Sequence, residues 1–194
     1  MTDASDANLM ERVRSGDRSA FSQLVDRHKD AMVNYLTRLT GCRERAEDVA
    51  QDTFVRLHAS ASRYREAGRF SGYLYRIATN LVRQEERRKK RWRLLAPLLA
   101  PAGSNGSNGH HPAPEAQASL LQREVHDQLH RAVAGLPLHY RVPVVLRDIE
   151  GWSYADIARL TGWREGTVKS RLSRARQQLR TKLLPYWNGD SHHV

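Results

Sequence analysis

Basic side chains are the residues of this sequence whose type and spacing indicate chemistry. The 194-residue chain has 32 Lys and Arg against 21 Asp and Glu, a formal net charge of +11. Two stretches carry the whole excess: residues 83–93 hold seven bases and two acids, and residues 164–182 hold seven bases and one acid. Each base placed at a phosphate releases counterions, so two separate stretches indicate two contacts with one polyanion. A solvated helix surface is the alternative that charge alone leaves open.

No pattern typical of a catalytic or metal site is found in the sequence. It has no paired catalytic carboxylates, no Ser-His-Asp order, no glycine-rich phosphate loop and a single cysteine, Cys42. We therefore expect no catalytic residue, no metal and no cofactor, and predict that the chain is not an enzyme. With a mean hydropathy of -0.68, no apolar run approaches the roughly 18 to 20 residues of a membrane span. Because the N-terminus also lacks a signal-peptide pattern, we expect a cytoplasmic protein without membrane insertion.

The second basic stretch follows the pattern of a helix-turn-helix. Ser153 is a suitable N-cap for a short helix with Ile157, Ala158 and Leu160 on its inner face, and Gly162 permits a positive φ in the turn. The longer helix that follows has an apolar stripe of Val168, Leu172, Ala175, Leu179 and Leu183, and bases at Lys169, Arg171, Arg174, Arg176 and Arg180. Because such a helix fits the major groove, the sequence predicts binding to duplex DNA.

The first half is predicted to be helical, and the first basic stretch lies at the end of one of its helices. Apolar residues recur at 3.6-residue spacing over 21–39, and Gly41 follows as a stop. A second helix is predicted over about 45–58. A third begins near Phe70 and continues into the basic stretch. No segment of this half has the pattern of a strand.

One predicted helix of the second half contains a proline. The pattern predicts a helix from about His139 to Ile149, with Pro143 inside it. A proline inside a helix costs about 3 kcal/mol unless it lies in the first turn. We therefore expect the helix to be kinked at this point or to begin later than His139.

A stretch of different composition divides the chain. Residues 96–119 contain four prolines and the repeat GSNGSNG but no Lys or Arg, a composition typical of a disordered linker. The predicted fold class is therefore all-α, with two small helical domains joined by a flexible linker and a helix-turn-helix in the second. The predicted boundaries are 1–95, 96–119 for the linker, 120–187, and 188–194 for a flexible tail.

Three runs of the sequence resemble a known family. They are AEDVAQDTFVRLH at 46–58, RFSGYLYRIATNLVRQEERRKKR at 69–91, and LRDIEGWSYADIARLTGWREGTVKSRLSRAR at 146–176. Together and in this order they resemble a bacterial RNA polymerase sigma factor of the sigma-70 family, in the extracytoplasmic-function (ECF) group. The resemblance covers nearly all of the chain except the linker and the ends. It implies that the first half is sigma region 2 and the second half is region 4.

The resemblance implies binding roles for three groups of residues. Core RNA polymerase, with its β′ and β subunits, is the implied partner, and its β′ subunit would bind the second helix of region 2 at Asp48, Gln51 and Asp52. The minus-ten promoter element would be held as unstacked single-stranded DNA, which requires planar groups and an amide; the corresponding residues are Arg63, Tyr64, Arg65, Tyr73, Arg76, Asn80 and Arg83. The minus-thirty-five element would be read as duplex by Arg164, Glu165, Thr167, Lys169, Ser170, Arg171 and Arg174.

A sigma factor binds core RNA polymerase and directs promoter recognition and DNA melting in transcription initiation, so the implied partners are core polymerase, promoter DNA and an anti-sigma factor.

Three positions depart from the family pattern: Thr79 stands where a basic residue is common, Tyr73 where Trp is usual, and Arg164 where a helix cap is frequent. Two alternatives are a stand-alone helix-turn-helix transcription regulator and a nucleic-acid-processing enzyme. The regulator predicts tight duplex binding by the free protein, whereas a sigma factor binds duplex poorly until polymerase is added. The enzyme would need a metal or nucleophile and predicts turnover that a single substitution abolishes.

Overall fold

The structure is a computed structural model that describes residues 5–65, 70–99 and 120–187, with side chains for 5–65, 70–95 and 127–184. Every regular element within these ranges is helical and none is a strand, which confirms the predicted all-α class. Among the described helices, none has the length and apolar character needed to cross a membrane.

Four helices form the first half. They are α1 (Asp6–Arg14), α2 (Arg18–Thr40), α3 (Arg43–Ser60) and α4 (Phe70–Leu99), with a 3₁₀ turn at Ala61–Arg63 after α3. Helix α2 begins at Asp17, whose carboxylate accepts hydrogen bonds from the backbone N–H groups of Ser19 and Ala20. It ends at Gly41, which has φ +72° and donates its N–H to the Thr37 carbonyl. The predicted stop at Gly41 is confirmed.

Helix α4 is longer than the sequence pattern indicated. It continues to Leu99, four residues past the predicted boundary at 95. The rest of the predicted linker, 100–119, lies outside the described residues, as does the predicted tail, 188–194.

Four α-helices and a wider turn form the second half. They are α5 (Leu120–Ala134), α6 (Leu138–Val144), a π turn (Val145–Ile149), α7 (Tyr154–Thr161) and α8 (Glu165–Trp187). Helix α6 begins at Leu138, so a start later than His139 is wrong. Pro143 lies inside α6, where it has no N–H to donate to the preceding turn. The chain adapts by widening: after Val144 it enters the π turn, and the Glu150 N–H donates to the Val145 carbonyl at 3.0 Å.

Both halves contribute to one continuous apolar core. Tyr35, Leu36 and Leu39 of α2 are fully or almost fully buried, and they belong to the same cluster as Val145 and Leu146 of the second half. Helix α2 contacts α5 and α6, and α4 contacts α7. In this structure, therefore, the two predicted domains lie directly against each other.

Candidate nucleic-acid interface

The helix-turn-helix has the geometry that its sequence predicted. The Ser153 hydroxyl accepts from the Asp156 N–H at 3.1 Å and caps α7. Gly162 has φ +72° and ends the helix, and its N–H donates to the Ala158 carbonyl at 2.9 Å. The inner faces of the two helices meet through Ile157, Val168, Leu172 and Ala175, each buried. Helix α8 is thus held at a fixed angle with its polar side outward.

Most residues predicted to read the minus-thirty-five element lie together on the exposed N-terminal half of α8. Those with exposed side chains are Arg164, Glu165, Lys169, Ser170 and Arg174, while Thr167 and Arg171 are partly buried. The Arg164 carbonyl accepts the first helical hydrogen bonds, from the N–H groups of Thr167 and Val168. Arg164 therefore occupies the N-cap position, and α8 begins directly after it. The arrangement presents a basic helix end to a groove or to phosphates.

The residues predicted for the minus-ten element follow one side of α4. Tyr73, Arg76, Asn80 and Arg83 are spaced by three or four residues, which places them in a row along the helix. Arg76 and Asn80 are exposed, and the Arg76 guanidinium carbon lies 5.3 Å from the centre of the Tyr73 ring. Near the start of this row, at the end of the 3₁₀ turn and just after it, Arg63 and Arg65 are also exposed.

Tyr64 is placed differently from the other aromatic and basic residues of this set. Only 7% of it is exposed, and its ring meets Tyr73 edge-on at 5.1 Å and Phe70 at 6.3 Å. The half-buried Tyr73 hydroxyl is 2.8 Å from the Ser60 hydroxyl. In this structure Tyr64 is packed against its own half and supports Tyr73. Its contact with the minus-ten element stays a prediction.

Helix α3 presents the three residues predicted to bind polymerase. Asp48, Gln51 and Asp52 are exposed, while Val49 and Thr53 between and after them are buried. Neither aspartate makes an ion pair with any residue that the structure describes. The result is an acidic surface available to a basic partner.

A cleft of about 960 Å³ separates parts of the two halves. One wall consists of first-half residues that include Tyr73 and Arg76, and the opposite wall includes Trp152, Asp156 and Arg159. Within the described residues, no group of three or more His, Cys, Asp or Glu side chains is arranged to hold a metal ion. The aromatic and basic groups of the cleft are of types that contact nucleic acids, and they lie beside the acidic Glu150 and Asp156.

Contacts between the halves involve residues that the sequence did not point to. Arg38 of α2 forms an ion pair with Glu150 at 2.9 Å, and Tyr75 of α4 packs on Trp152 with ring centres 5.1 Å apart. Burial, together with the nearby Glu150 carboxylate, raises the pKa of Tyr75 well above its usual range. Trp163, in the turn of the helix-turn-helix, stacks against arginines of both halves. These side chains are far apart in sequence, and no local pattern pairs them.

Comparison with protein families finds two matches, one in each half. Residues 24–93 match the family described as Sigma-70 region 2, and residues 126–179 match Sigma-70, region 4. The two matches together cover more than half of the chain. Each includes the helices that carry the predicted binding residues.

Curated relatives align over almost the whole chain. It is 34% identical over 186 residues to the ECF RNA polymerase sigma-E factor of Haemophilus influenzae, an alignment that covers 93% of this chain and 96% of the relative. It is 37% identical over 185 residues to the ECF RNA polymerase sigma factor SigM of Mycobacterium tuberculosis, with 95% and 87% covered.

Solved structures show a similar fold. The sigma factor RpoE of Bartonella quintana, crystallised with the anti-sigma factor NepR, superimposes with a TM-score of 0.65 at 27% identity, covering 84% of this chain and 96% of that chain. CnrH in complex with the cytosolic domain of CnrY gives the same TM-score at 24% identity, which is a likeness of fold.

Proposed function

Because the chain belongs to the ECF group of sigma-70 RNA polymerase sigma factors, which act in transcription initiation, we propose a division of its binding roles among three surfaces. The acidic surface of Asp48, Gln51 and Asp52 on α3 binds core RNA polymerase. The row along α4 that includes Asn80 holds the opened minus-ten element. The N-terminal half of α8, around Lys169, reads the minus-thirty-five element as duplex.

The observation that carries this proposal is the exposed, basic start of α8, held by the turn at Gly162. Its inner stripe is buried and most of its bases are exposed, which is the arrangement of a recognition helix. The α4 row differs in kind: Asn80 adds an amide that can pair with the Watson–Crick edge of a base only after that base has left the duplex. The two surfaces therefore suit duplex and melted DNA respectively.

The domain assignment follows the same division. Region 2 comprises the first half of the chain to the end of α4 at Leu99, and region 4 comprises residues 120–187. The chain itself is not an enzyme, since RNA synthesis is the activity of the polymerase that it binds. Its place of action is the cytoplasm, where that polymerase works.

An anti-sigma factor is a further proposed partner. Support comes from the RpoE structure, in which a similar chain is bound to the anti-sigma factor NepR. An anti-sigma factor for this chain would compete with polymerase for the exposed surface of α3 or close the cleft between the halves.

A reconstituted transcription assay tests the proposed function. Core RNA polymerase of the source bacterium, a promoter template and the purified chain should together give a transcript of defined start, and omission of the chain should abolish it. The free chain should bind the same promoter duplex poorly. Tight duplex binding by the free chain without any association with core polymerase would contradict the proposal and favour the stand-alone regulator.

A further inference from the structure

Two bases on one side of α8 are held by the segment that precedes this helix, and they are held in different ways. Lys169 and Arg176 are seven residues apart, so they lie about two turns apart on the same side of α8. The Asp148 carboxylate, in the π turn, accepts two hydrogen bonds from the Arg176 guanidinium, at 3.2 Å and 2.5 Å. Lys169 instead contacts the ring of Tyr154, the first residue of α7, with its Nζ atom 5.6 Å from the ring centre.

The two contacts leave different charges for a ligand. Asp148 neutralises Arg176 in an ion pair, and its hydrogen bonds raise the pKa of that guanidinium. An aromatic ring attracts a cation through its quadrupole but carries no net charge. Tyr154 therefore restrains the Lys169 ammonium and leaves its full positive charge available to DNA.

Tyr154 is itself held in place. It is half-buried and directly follows Ser153, the residue that caps α7. The Arg147 guanidinium carbon lies 4.9 Å from the centre of the same ring, and Arg147 Nη1 donates to the Trp152 carbonyl at 2.9 Å. Arg147 is thus fixed to the backbone and supports the ring. Its charge also keeps the surroundings of Lys169 positive, which favours an anionic ligand.

Lys169 lies at the border between the buried and the exposed sides of α8. Val168 before it and Leu172 three residues later are buried, whereas Lys169 and Ser170 are exposed. A lysine side chain loses rotamer freedom when it is ordered, and such a loss weakens any binding step in which it occurs. Because the Tyr154 ring restricts Lys169 in the folded chain, part of this loss occurs on folding and not on DNA binding.

We propose that Tyr154 is a positioning residue for duplex recognition, whose ring holds the Lys169 ammonium, still charged, at the edge of the exposed N-terminal half of α8. The inference depends on the proposed role of α8 in reading the minus-thirty-five element. Tyr154 acts through Lys169, so loss of its ring weakens DNA binding only while Lys169 is present. The ring is the required feature, and the hydroxyl is not.

A double-mutant cycle on the holoenzyme tests this role. Gel-shift titration with a promoter duplex, at a temperature low enough to prevent strand opening, should show about threefold to fivefold weaker binding for Tyr154→Leu. Tyr154→Phe keeps the ring and should bind within about twofold of the wild-type chain. In a Lys169→Met background, Tyr154→Leu should cause no further loss. Tyr140→Leu is the matched control, since Tyr140 is also half-buried in the second half, and it should leave binding unchanged.

Nuclear magnetic resonance of the free chain provides a readout that does not involve DNA. The side-chain methylene protons of Lys169 next to the Tyr154 ring should resonate upfield because of the ring current, and their signal is identified by its absence in Lys169→Met. Tyr154→Phe should retain the upfield shift and Tyr154→Leu should abolish it. If circular dichroism shows Tyr154→Leu to be poorly folded, Tyr154→Met replaces it, because the flexible methionine side chain fills irregular gaps.

Three outcomes would overturn the positioning role. They are equal losses for Tyr154→Leu in the two backgrounds, a loss for Tyr154→Phe as large as that for Tyr154→Leu, and a Lys169 signal without the upfield shift. Failure of the proposed function has a different signature. If Lys169→Met left closed-complex binding unchanged while the wild-type chain showed the upfield shift, the contact between Tyr154 and Lys169 would be upheld and the proposed reading of the minus-thirty-five element by Lys169 would be overturned.

Discussion

Tyr35 donates a hydrogen bond to Thr79 in the core of the first half, and a second bond fixes this direction. The two hydroxyl oxygens are 2.7 Å apart, and Thr79 Oγ1 also lies 2.7 Å from the Tyr75 carbonyl oxygen. Because a carbonyl only accepts, Thr79 gives its single proton to Tyr75 and must accept from Tyr35. Thr79 is fully buried. The threonine at this position, where the family commonly has a basic residue, therefore affects the core of the first half and not a surface of α4.

This geometry predicts unequal costs for removing the two partners. Thr79→Val leaves the buried Tyr35 hydroxyl without an acceptor and should lower the free energy of unfolding by about 1 to 3 kcal/mol. Tyr35→Phe leaves Thr79 bonded to the Tyr75 carbonyl and should cost about 0.5 to 1.5 kcal/mol. Urea unfolding followed by circular dichroism measures both. A greater cost for Tyr35→Phe than for Thr79→Val would contradict the assigned direction.

The acidic surface of α3 predicts a polymerase-binding defect without a folding defect. Asp48→Arg combined with Gln51→Ala should weaken binding to core RNA polymerase, because both side chains are exposed and the first is expected to face a basic partner. The unfolding midpoint should stay unchanged, since exposed positions of this kind contribute little. Asp30→Arg makes the same charge change at an exposed position of α2 and serves as the control. A fluorescence titration with equal affinities for variant and control would refute the α3 assignment.

The two glycines at the start of the recognition helix predict stability changes of opposite sign. A Cβ at Gly162 would meet nothing within 4 Å. The only cost of Gly162→Ala is therefore the left-handed backbone, with φ of +72°, and the substitution should destabilise the folded protein by about 1 kcal/mol. Gly166 is helical and equally open, so Gly166→Ala should stabilise by roughly 0.5 to 1 kcal/mol. Thermal unfolding of the two variants makes the comparison. Unchanged or increased stability of Gly162→Ala would mean that the turn does not need the left-handed conformation.

Asn80 and Lys169 should affect different steps of initiation. Asn80→Ala should impair strand opening more than formation of the closed complex, because its amide is expected to pair with the Watson–Crick edge of a base, which is free only after the base has left the duplex. Lys169→Ala should weaken the closed complex by about 1 to 3 kcal/mol if it reads a base edge, and mainly reduce the salt slope if it holds a phosphate.

Permanganate footprinting and gel-shift titration of the holoenzyme, on one promoter at several salt concentrations, separate the two steps. Arg180→Ala, an exposed base three turns further along α8, provides the control for general loss of charge. Equal proportional losses at both steps for Asn80→Ala and Lys169→Ala would show that α4 and α8 act as one duplex-binding surface.

Asp17 predicts a pH dependence of stability at acid pH. The Ala20 N–H and the Arg12 side chain hold the pKa of its carboxyl below the ordinary value of 3.8. The Asp17 carboxylate therefore contributes its full share of the folding stability at pH values above its pKa in the unfolded chain. This contribution is lost as the pH falls through the lower pKa of Asp17 in the folded chain. Asp17→Asn keeps a capping oxygen and should flatten this part of the stability profile, measured by urea unfolding between about pH 5 and pH 2. Parallel profiles for the two proteins would argue against a charged cap.

Local features of the fold were accessible from the sequence, while contacts between distant segments were not. Gly41 and Gly162 end helices because only their backbone turns left-handed at low cost, and Ser153 caps because its hydroxyl reaches the next turn. The sequence pattern does not distinguish helix α1, although its buried residues complete the core around α2. Its nine residues give too short a run for periodicity to distinguish.

The candidate site shows the same limit. An exposed Asn80 follows from its place on the polar side of α4. Tyr64 has a residue type that suits base stacking, but its burial depends on the packing of Tyr73 and Phe70 around it. Arg38 and Glu150 are 112 positions apart, and no propensity or spacing rule connects them.

Pro143 has a geometric consequence at the far end of the π turn. Each residue of an α-helix advances the chain by about 100° around the axis, and a π turn takes up one residue more than an α turn. The extra residue therefore changes the direction, around the helix axis, in which the chain continues after Ile149. As a result Glu150, the next residue, faces Arg38. Deleting one residue from Val145–Ile149 would rotate Glu150 away from α2 while preserving its chemistry. The length of this turn is thus as much a determinant of the contact between the halves as the carboxylate itself.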